Sequence, residues 1–209
     1  MTELLNIDCM EYMKNVPNNY FDLAVVDPPY GIKRDGHLGV KAKNSNHNWK
    51  AHKFKGWDSE KPKLEYWHEL FRVSKNQIVF GANYFTENLP PSMGWIVWDK
   101  GQKLTMSDGE LVFTSFHRAL RIVTINRGFL AIEGDTIHPT QKPIKLYKWI
   151  LHNYAKEGDK IIDTHGGSMS SAIACHNMEF DIVCCEIDKD YYDLGIKRYN
   201  DEIKQLKLL

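Results

Sequence analysis

Four consecutive residues, Asp27-Pro28-Pro29-Tyr30, place a carboxylate, two rings without an N–H and a phenol at the end of an apolar run, Phe21 to Val26. Proline fixes φ and cannot donate, so two in succession stop a sheet ladder and leave a carbonyl without a ladder partner. A carboxylate, a carbonyl and an aromatic face then lie within one turn. Both hydrogens of an exocyclic amino group on a flat heterocycle would meet acceptors there, and the heterocycle would stack on the ring. An Asp-Pro turn closing a strand is the plain alternative. The choice between them depends on what the rest of the chain supplies.

A second set of residues has the pattern of a nucleotide pocket. Asp163-Thr164-His165-Gly166-Gly167-Ser168-Met169-Ser170-Ser171 follows Lys160-Ile161-Ile162 and runs into small residues. Glycines allow close approach of the backbone to a ligand, and small residues after them let a helix pack on a sheet. Glu186 ends the apolar run that begins at Phe180, twenty-three residues beyond Asp163. A carboxylate about 20 residues past a glycine loop is where nucleotide-binding α/β folds hold ribose hydroxyls. His138-Pro139-Thr140-Gln141-Lys142-Pro143 reads as a helix start with Thr140 as its cap, and Lys142 beside free N–H groups makes a seat for a carboxylate. Asp8 is read as the cap of a helix marked by Met10, Met13 and Val16.

Those residues need elements to hold them. A strand over Leu4–Ile7, the helix after Asp8 and the strand leading to Asp27 form the beginning of a parallel α/β layer. Leu64, Trp67, Leu70 and Phe71 predict a helix over 62–74 with Pro62 in its first turn. Strands at 77–80 and 94–100 also end in polar residues, and in open parallel sheets that edge is where ligands bind. The runs 110–116 and 119–124 are expected to form an antiparallel pair closing one side of the sheet. The helix begun at 138–143 continues through Leu146, Trp149, Ile150 and Tyr154, and Tyr192 to Leu206 makes a last amphipathic helix.

With 209 residues the chain suits one domain, 1–209, with a full core. Hydrophobic residues make up 43% and charged residues 26%, and no apolar run approaches the roughly 20 residues of a membrane span. The N-terminus has no signal-peptide pattern, so a cytoplasmic location is expected. Cys9, Cys175, Cys184 and Cys185 show no CxxC spacing, which favours reduced core thiols over disulfides or zinc, and no metal is expected. Basic and acidic residues balance at 27 each, which excludes a protein coating nucleic acid through overall charge. The exception is 31–58, where Lys33, Arg34, Lys41, Lys43, Lys50, Lys53 and Lys55 face only Asp35 and Asp58. With Trp49, Phe54 and Trp57 among the lysines, this basic loop reads as a phosphate-contacting flap, a solvated surface loop being the alternative. Residues 101–137, which include Arg121 and Arg127, are the other candidate for target contact.

Together these stretches resemble the S-adenosylmethionine-dependent amino-methyltransferases of DNA, in the beta-group order where the catalytic motif precedes the cofactor motifs. Asp27-Pro28-Pro29-Tyr30 is similar to the family's catalytic tetrapeptide, His138 to Pro143 to its cofactor-side helix start, Asp163 to Ser171 to its glycine loop, and Glu186 to its ribose-binding acid. The resemblance implies a Rossmann-like fold with a mostly parallel seven-stranded sheet, one antiparallel strand and a circularly permuted order, the first strand lying beside the last. It implies S-adenosylmethionine as cofactor, held by Asp8, Cys9, His138, Thr140, Gln141, Lys142, Asp163, His165, Gly166, Gly167, Ser168, Ser170, Glu186 and Ile187. It also implies transfer to adenine N6 of a base flipped from double-stranded DNA, with Lys33, Arg34, Lys41, Lys43, Lys50, Lys53, Lys55 and Arg127 on the nucleic acid. Thr164, His165 and Met169 depart from the family's loop, where Pro, Phe and a second Gly are usual. Cytosine N4 as target, an RNA or protein-amide substrate, and a DNA-binding relative without catalysis are the other readings. A homodimer, a partner nuclease and a helper protein are further partners compatible with the small recognition region.

Overall fold

The computed structural model describes residues 1–36, 53–101, 107–128, 130, 133 and 136–206. Eight strands form one sheet: β1 (Thr2–Asn6), β2 (Phe21–Val26), β3 (Ser74–Phe80), β4 (Ile96–Asp99), β5 (Gly109–Thr114), β6 (Arg121–Thr124), β7 (Lys160–Asp163) and β8 (Asp181–Glu186). Their spatial order is β1-β8-β7-β2-β3-β5-β4-β6. β5 is antiparallel to both its neighbours, β3 and β4, and the other pairings are parallel. The architecture is the mostly parallel α/β sheet with one reversed strand, built with eight strands rather than seven. β1 lies against β8, with Leu4 opposite Cys184, so the first strand neighbours the last.

Helices α1 (Cys9–Met13), α2 (Leu64–Val73), α3 (Ile144–Tyr154), α4 (Ser170–Asn177) and α5 (Lys189–Leu206) cover both faces. The sheet is apolar on both sides because alternate side chains point to opposite faces. Leu23 and Val25 of β2 join the core that includes Leu146, Ile150 and Ile173, whereas Ala24 and Val26 join the core that includes Met13, Trp67 and Leu70. Burying such a Leu or Val side chain fully contributes about 1.5–3 kcal/mol. α2 begins at Leu64 with Lys63 as N-cap, so Pro62 precedes the helix instead of entering its first turn.

The expected antiparallel pairing of 110–116 with 119–124 does not form. β5 pairs with β4 across the connection 100–108, and β6 lies parallel to β4 on its far side. The chain leaving β5 crosses in front of β4, and Gly94 makes the crossing feasible: a Cβ there would fall 2.3 Å from the Phe116 carbonyl oxygen.

This topology gathers the polar groups. The parallel strands deliver their C-terminal ends to one edge, and the reversed β5 delivers its N-terminal end to the same edge. Asp27, Gly81, Asp99, Glu110, Asp163 and Glu186 therefore come together from six strands. Among the described residues no helix is long and apolar enough to cross a membrane.

Candidate active site

Asp27 leaves β2 at the centre of that edge, and both of its carboxylate oxygens are engaged. The Tyr30 hydroxyl lies 2.6 Å from Oδ1 and the Lys142 ammonium donates to Oδ2 at 2.5 Å. Lys142 Nζ also lies 3.2 Å from the Tyr30 hydroxyl and 3.1 Å from Glu110 Oε1, which is 2.8 Å from that same hydroxyl. The phenol has one proton, so it donates to Asp27 or to Glu110 and not to both. Lys100, from the end of β4, lies 3.7 Å from Glu110 and over the Trp98 ring. Two carboxylates thus share a half-enclosed space with three cations, since half-buried Arg127 also acts on Glu110.

Burial raises the Asp27 pKa; Lys142 opposes that rise and Glu110 adds to it. Glu110 is held ionised below its ordinary value, because Lys142 and Lys100 outweigh the effect of burial. Burial acts downwards on Lys142, yet Asp27 and Glu110 keep it protonated above the usual lysine value.

The Tyr30 ring is positioned by its neighbours. It stacks on Tyr84 with centroids 4.9 Å apart and planes inclined by 15°, and Phe85 meets its edge. Gly81 makes this approach possible. Its φ is +61°, and a Cβ would stand 2.3 Å from the Tyr30 ring. A glycine at the end of β3 is therefore required twice, for conformation and for space.

The nucleotide-like side assembles at the ends of β7 and β8. Glu186 accepts the N–H of Gly167 at 2.7 Å and that of Asp188 at 2.8 Å, which ties the glycine loop to the end of β8. A Cβ on Gly166 would fall 2.6 Å from Cys184 Sγ, so the loop lies flat on the sheet. His138 sits beside Gly167, against Trp57 and Tyr191. Asp163 accepts from Ser171 and from the His165 N–H, and burial pushes its pKa up to about 7. Burial lowers His165 to about 4, so its imidazole is neutral.

The departures in the glycine loop are internally compensated. Thr164 Oγ1 lies 2.8 Å from the Tyr66 hydroxyl and 2.9 Å from His165 Nδ1, so the polar pair that stands in place of Pro and Phe is satisfied from α2. Met169 takes a left-handed conformation at φ 58° and is fully buried. Gly195 on α5 leaves it room, since a Cβ there would meet Met169 Cγ at 2.7 Å.

The groups fit S-adenosylmethionine, the cofactor implied by the resemblance. Glycine backbone and a strand-end carboxylate border the space for a nucleoside, and the Gln141 side-chain nitrogen is buried without a partner among the described residues. Asp8 caps α1 through Met10 N–H, as expected from sequence, and its carboxylate is otherwise exposed. Half-buried Cys9 opens α1, and burial pushes its thiol up to about 12. Ser168 and Ser170 contact each other, Ser170 donating to the Lys142 carbonyl. Ile187 is exposed beside Glu186.

Several positions differ from expectation. Thr140 caps no helix: its hydroxyl meets His138 Nδ1, and α3 begins only at Ile144, whose N–H is taken by Glu133. A residue before proline is kept out of the helical region, so the helix is blocked until the chain has passed Lys142-Pro143. With Glu133 on that N-terminus and Lys142 on Asp27, the expected carboxylate seat at the helix start is absent. Lys55 is engaged by Asp188 at 2.6 Å and Asp190 at 2.8 Å, not presented to a target. Asp35 and Asp58, counted as the acids of the basic loop, are buried and accept backbone N–H groups of Lys55, Gly56, Gly31 and Arg34. Lys33, Arg34 and Lys53 are exposed at the two ends of this loop, and Lys41, Lys43 and Lys50 lie outside the described residues. Glu110 and Lys100 were missed, because the pairing of β5 with β3 and β4 that brings Glu110 to this edge leaves no local signal.

Comparison with known proteins agrees with this geometry. The chain is 24% identical to the type II methyltransferase M.HpaI of Haemophilus parainfluenzae, over 95% of this chain and 74% of that protein. The M1.HpyAVI–SAM complex superposes with a TM-score of 0.63 at 19% identity, covering 95% of this chain and all of that one. PvuII DNA methyltransferase, described as cytosine-N4-specific, gives 0.60 at 14% identity, covering 97% and 90%. The family model for DNA methylases of the N6/N4 amino type matches residues 90–197, more than half of the sequence, and the chain belongs to that family.

Proposed function

We propose that this protein transfers a methyl group from S-adenosylmethionine to the exocyclic N6 of adenine in double-stranded DNA, on a base swung out of the helix. The observation that carries this reading is the meeting, on one sheet edge, of the Asp27 carboxylate with a glycine loop tied to Glu186. Bound S-adenosylmethionine supplies a methyl group activated by positive sulfur.

The chain's own residues do the rest. Adenine N6 is a poor nucleophile because its lone pair is delocalised into the ring. An Asp27 oxygen and the Pro28 carbonyl accept its two hydrogens, draw the nitrogen towards tetrahedral geometry and localise the lone pair. Methylated nitrogen sheds one proton, and Asp27, with its raised pKa, is the base within reach. Tyr30, with one face covered by Tyr84, offers the other to the extruded base, whose amino nitrogen is unreachable inside the duplex. Gly166, Gly167, Glu186, Ile187, His138 and Gln141 border the nucleoside, with Asp8 at the adenine end. Lys33, Arg34 and Lys53, exposed at the ends of the basic loop, meet phosphate. An aspartate at the head of the tetrapeptide favours adenine over cytosine N4 by the resemblance.

The test is incubation with DNA of known sequence and labelled cofactor, followed by modified-base mapping, for the wild type and Asp27→Ala. The wild type is expected to label adenine N6. The variant is expected to bind cofactor and transfer nothing. Transfer undiminished in Asp27→Ala removes Asp27 from the mechanism, and label on cytosine N4 replaces the base assignment.

A further inference from the structure

Glu110 belongs to none of the motifs, yet it duplicates both contacts that occupy Asp27. Its Oε1 lies 2.8 Å from the Tyr30 hydroxyl and 3.1 Å from Lys142 Nζ, and those two groups are the ones bound to Asp27. As the site stands, an amino group reaching Asp27 must displace one or both. An ammonium displaced from a buried carboxylate needs another anion at hand, because an unpaired buried charge is costly.

We infer that Glu110 is a positioning residue for the transfer: when the target's amino group claims Asp27, Glu110 retains the Lys142 ammonium and the Tyr30 hydroxyl. This rests on the reading of Asp27 as the acceptor of that amino group. The move is short, since Lys142 already lies 3.1 Å from its second seat. Lys100, 3.7 Å away, keeps Glu110 ionised from its other carboxylate oxygen, and the Lys142 ammonium lies over the Phe80 ring, 4.8 Å from its centroid. Without the Glu110 charge, Lys142 has Asp27 as its one remaining carboxylate among the described residues and competes there with the substrate. Asp27 and Glu110 against Lys142 give that trio a net charge of minus one. Removing the charge of Glu110 alone makes it zero, and removing Lys142 as well restores minus one.

The experiment compares Glu110→Gln, Asp27→Ala and the double variant Glu110→Gln/Lys142→Met in single-turnover methyl transfer, with DNA affinity, cofactor affinity and Tm measured alongside. Glu110→Gln is expected to keep DNA and cofactor affinity within about twofold and to lose about 100-fold in transfer rate, the range seen when one partner of a buried charge pair is removed. The double variant is expected to be faster than Glu110→Gln by about tenfold, a rescue that a merely structural role would not give. A Glu110→Gln rate near that of the wild type, with Asp27→Ala inactive, overturns the inference and leaves the function standing. A double variant no faster than Glu110→Gln overturns it too. Asp27→Ala transferring at the wild-type rate removes the reading on which it rests. Should Glu110→Gln not fold, Glu110→Asp carries the test: it keeps the charge and is expected within about tenfold of the wild type, and an inactive, folded Glu110→Asp overturns the inference.

Discussion

Replacing Lys142 with methionine removes one ammonium that serves two carboxylates while keeping much of its apolar stem. Nζ lies 2.5 Å from Asp27 and 3.1 Å from Glu110, and the lysine side chain is 5% exposed. Breaking a buried pair costs about 3–5 kcal/mol, because the partner is left as an uncompensated charge. Here Lys100 remains near Glu110 and the Tyr30 hydroxyl remains on Asp27, which places the loss near the lower limit, about 3 kcal/mol. In a chain of this size each 1 kcal/mol moves Tm by about 2–4 °C, so a fall of about 6–12 °C is expected. The pH dependence has a definite sign. Asp27 is already raised by burial, and Lys142 is the strongest influence holding it down. In Lys142→Met its folded pKa rises further above the unfolded value, so the folded state binds the proton more tightly. Stability from that group is present at low pH and is lost as pH rises through the folded pKa. Thermal unfolding of both proteins by circular dichroism at about pH 8 and about pH 5.5 should show a deficit that narrows on acidification. A deficit under about 2 °C at the higher pH, or one that widens in acid, would refute the assignment of Lys142 as the shared counter-ion.

Three further outcomes are expected. Gly81→Ala puts a methyl group 2.3 Å from the Tyr30 ring at φ +61°, and is expected to cost about 2–4 kcal/mol and to cut methyl transfer more than about tenfold; an unchanged rate and Tm contradict the Tyr30 placement. Met169→Gly relieves about 1 kcal/mol of left-handed strain but empties a fully buried site, a change worth about 2–5 kcal/mol, so denaturant titration should show a net loss. A more stable Met169→Gly would mean that the loop is strained, not accommodated. Lys55→Met is expected to leave the salt dependence of DNA binding unchanged because Asp188 and Asp190 already hold that ammonium, whereas Lys53→Met should lower the slope of log affinity against log salt by up to about 0.9. Equal slopes for the two variants would refute that distinction.

The layered sheet and the delivery of Asp27 were legible because they rest on local signals. Apolar runs of four to six residues ending in Asp-Pro-Pro or Gly, with helical periods between them, leave little freedom in a parallel α/β layer. The late start of α3 was also legible in principle, since Lys142-Pro143 forbids a helix capped by Thr140. Glu110 was not, because it looks like any polar residue in an alternating strand. Its place is set by β5 pairing with β3 and β4, contacts that no local pattern records. Lys55 is similar: a lysine in a basic run reads as a target contact until the fold brings Asp188, 133 residues later, against it.

The reversed strand bears on how this protein could be re-engineered. Trp98 stands opposite Glu110 and Asp99 opposite Gly109, and the Lys100 N–H closes the hairpin on the Asp108 carbonyl at 2.9 Å. A slip of one residue would turn Glu110 to the other face of the sheet, so insertions inside 108–114 should be fatal. That bond clamps both ends of the connection between Lys100 and Asp108. An insertion between them is therefore expected to leave Lys100 and Glu110 in place, with Tm and cofactor affinity unchanged.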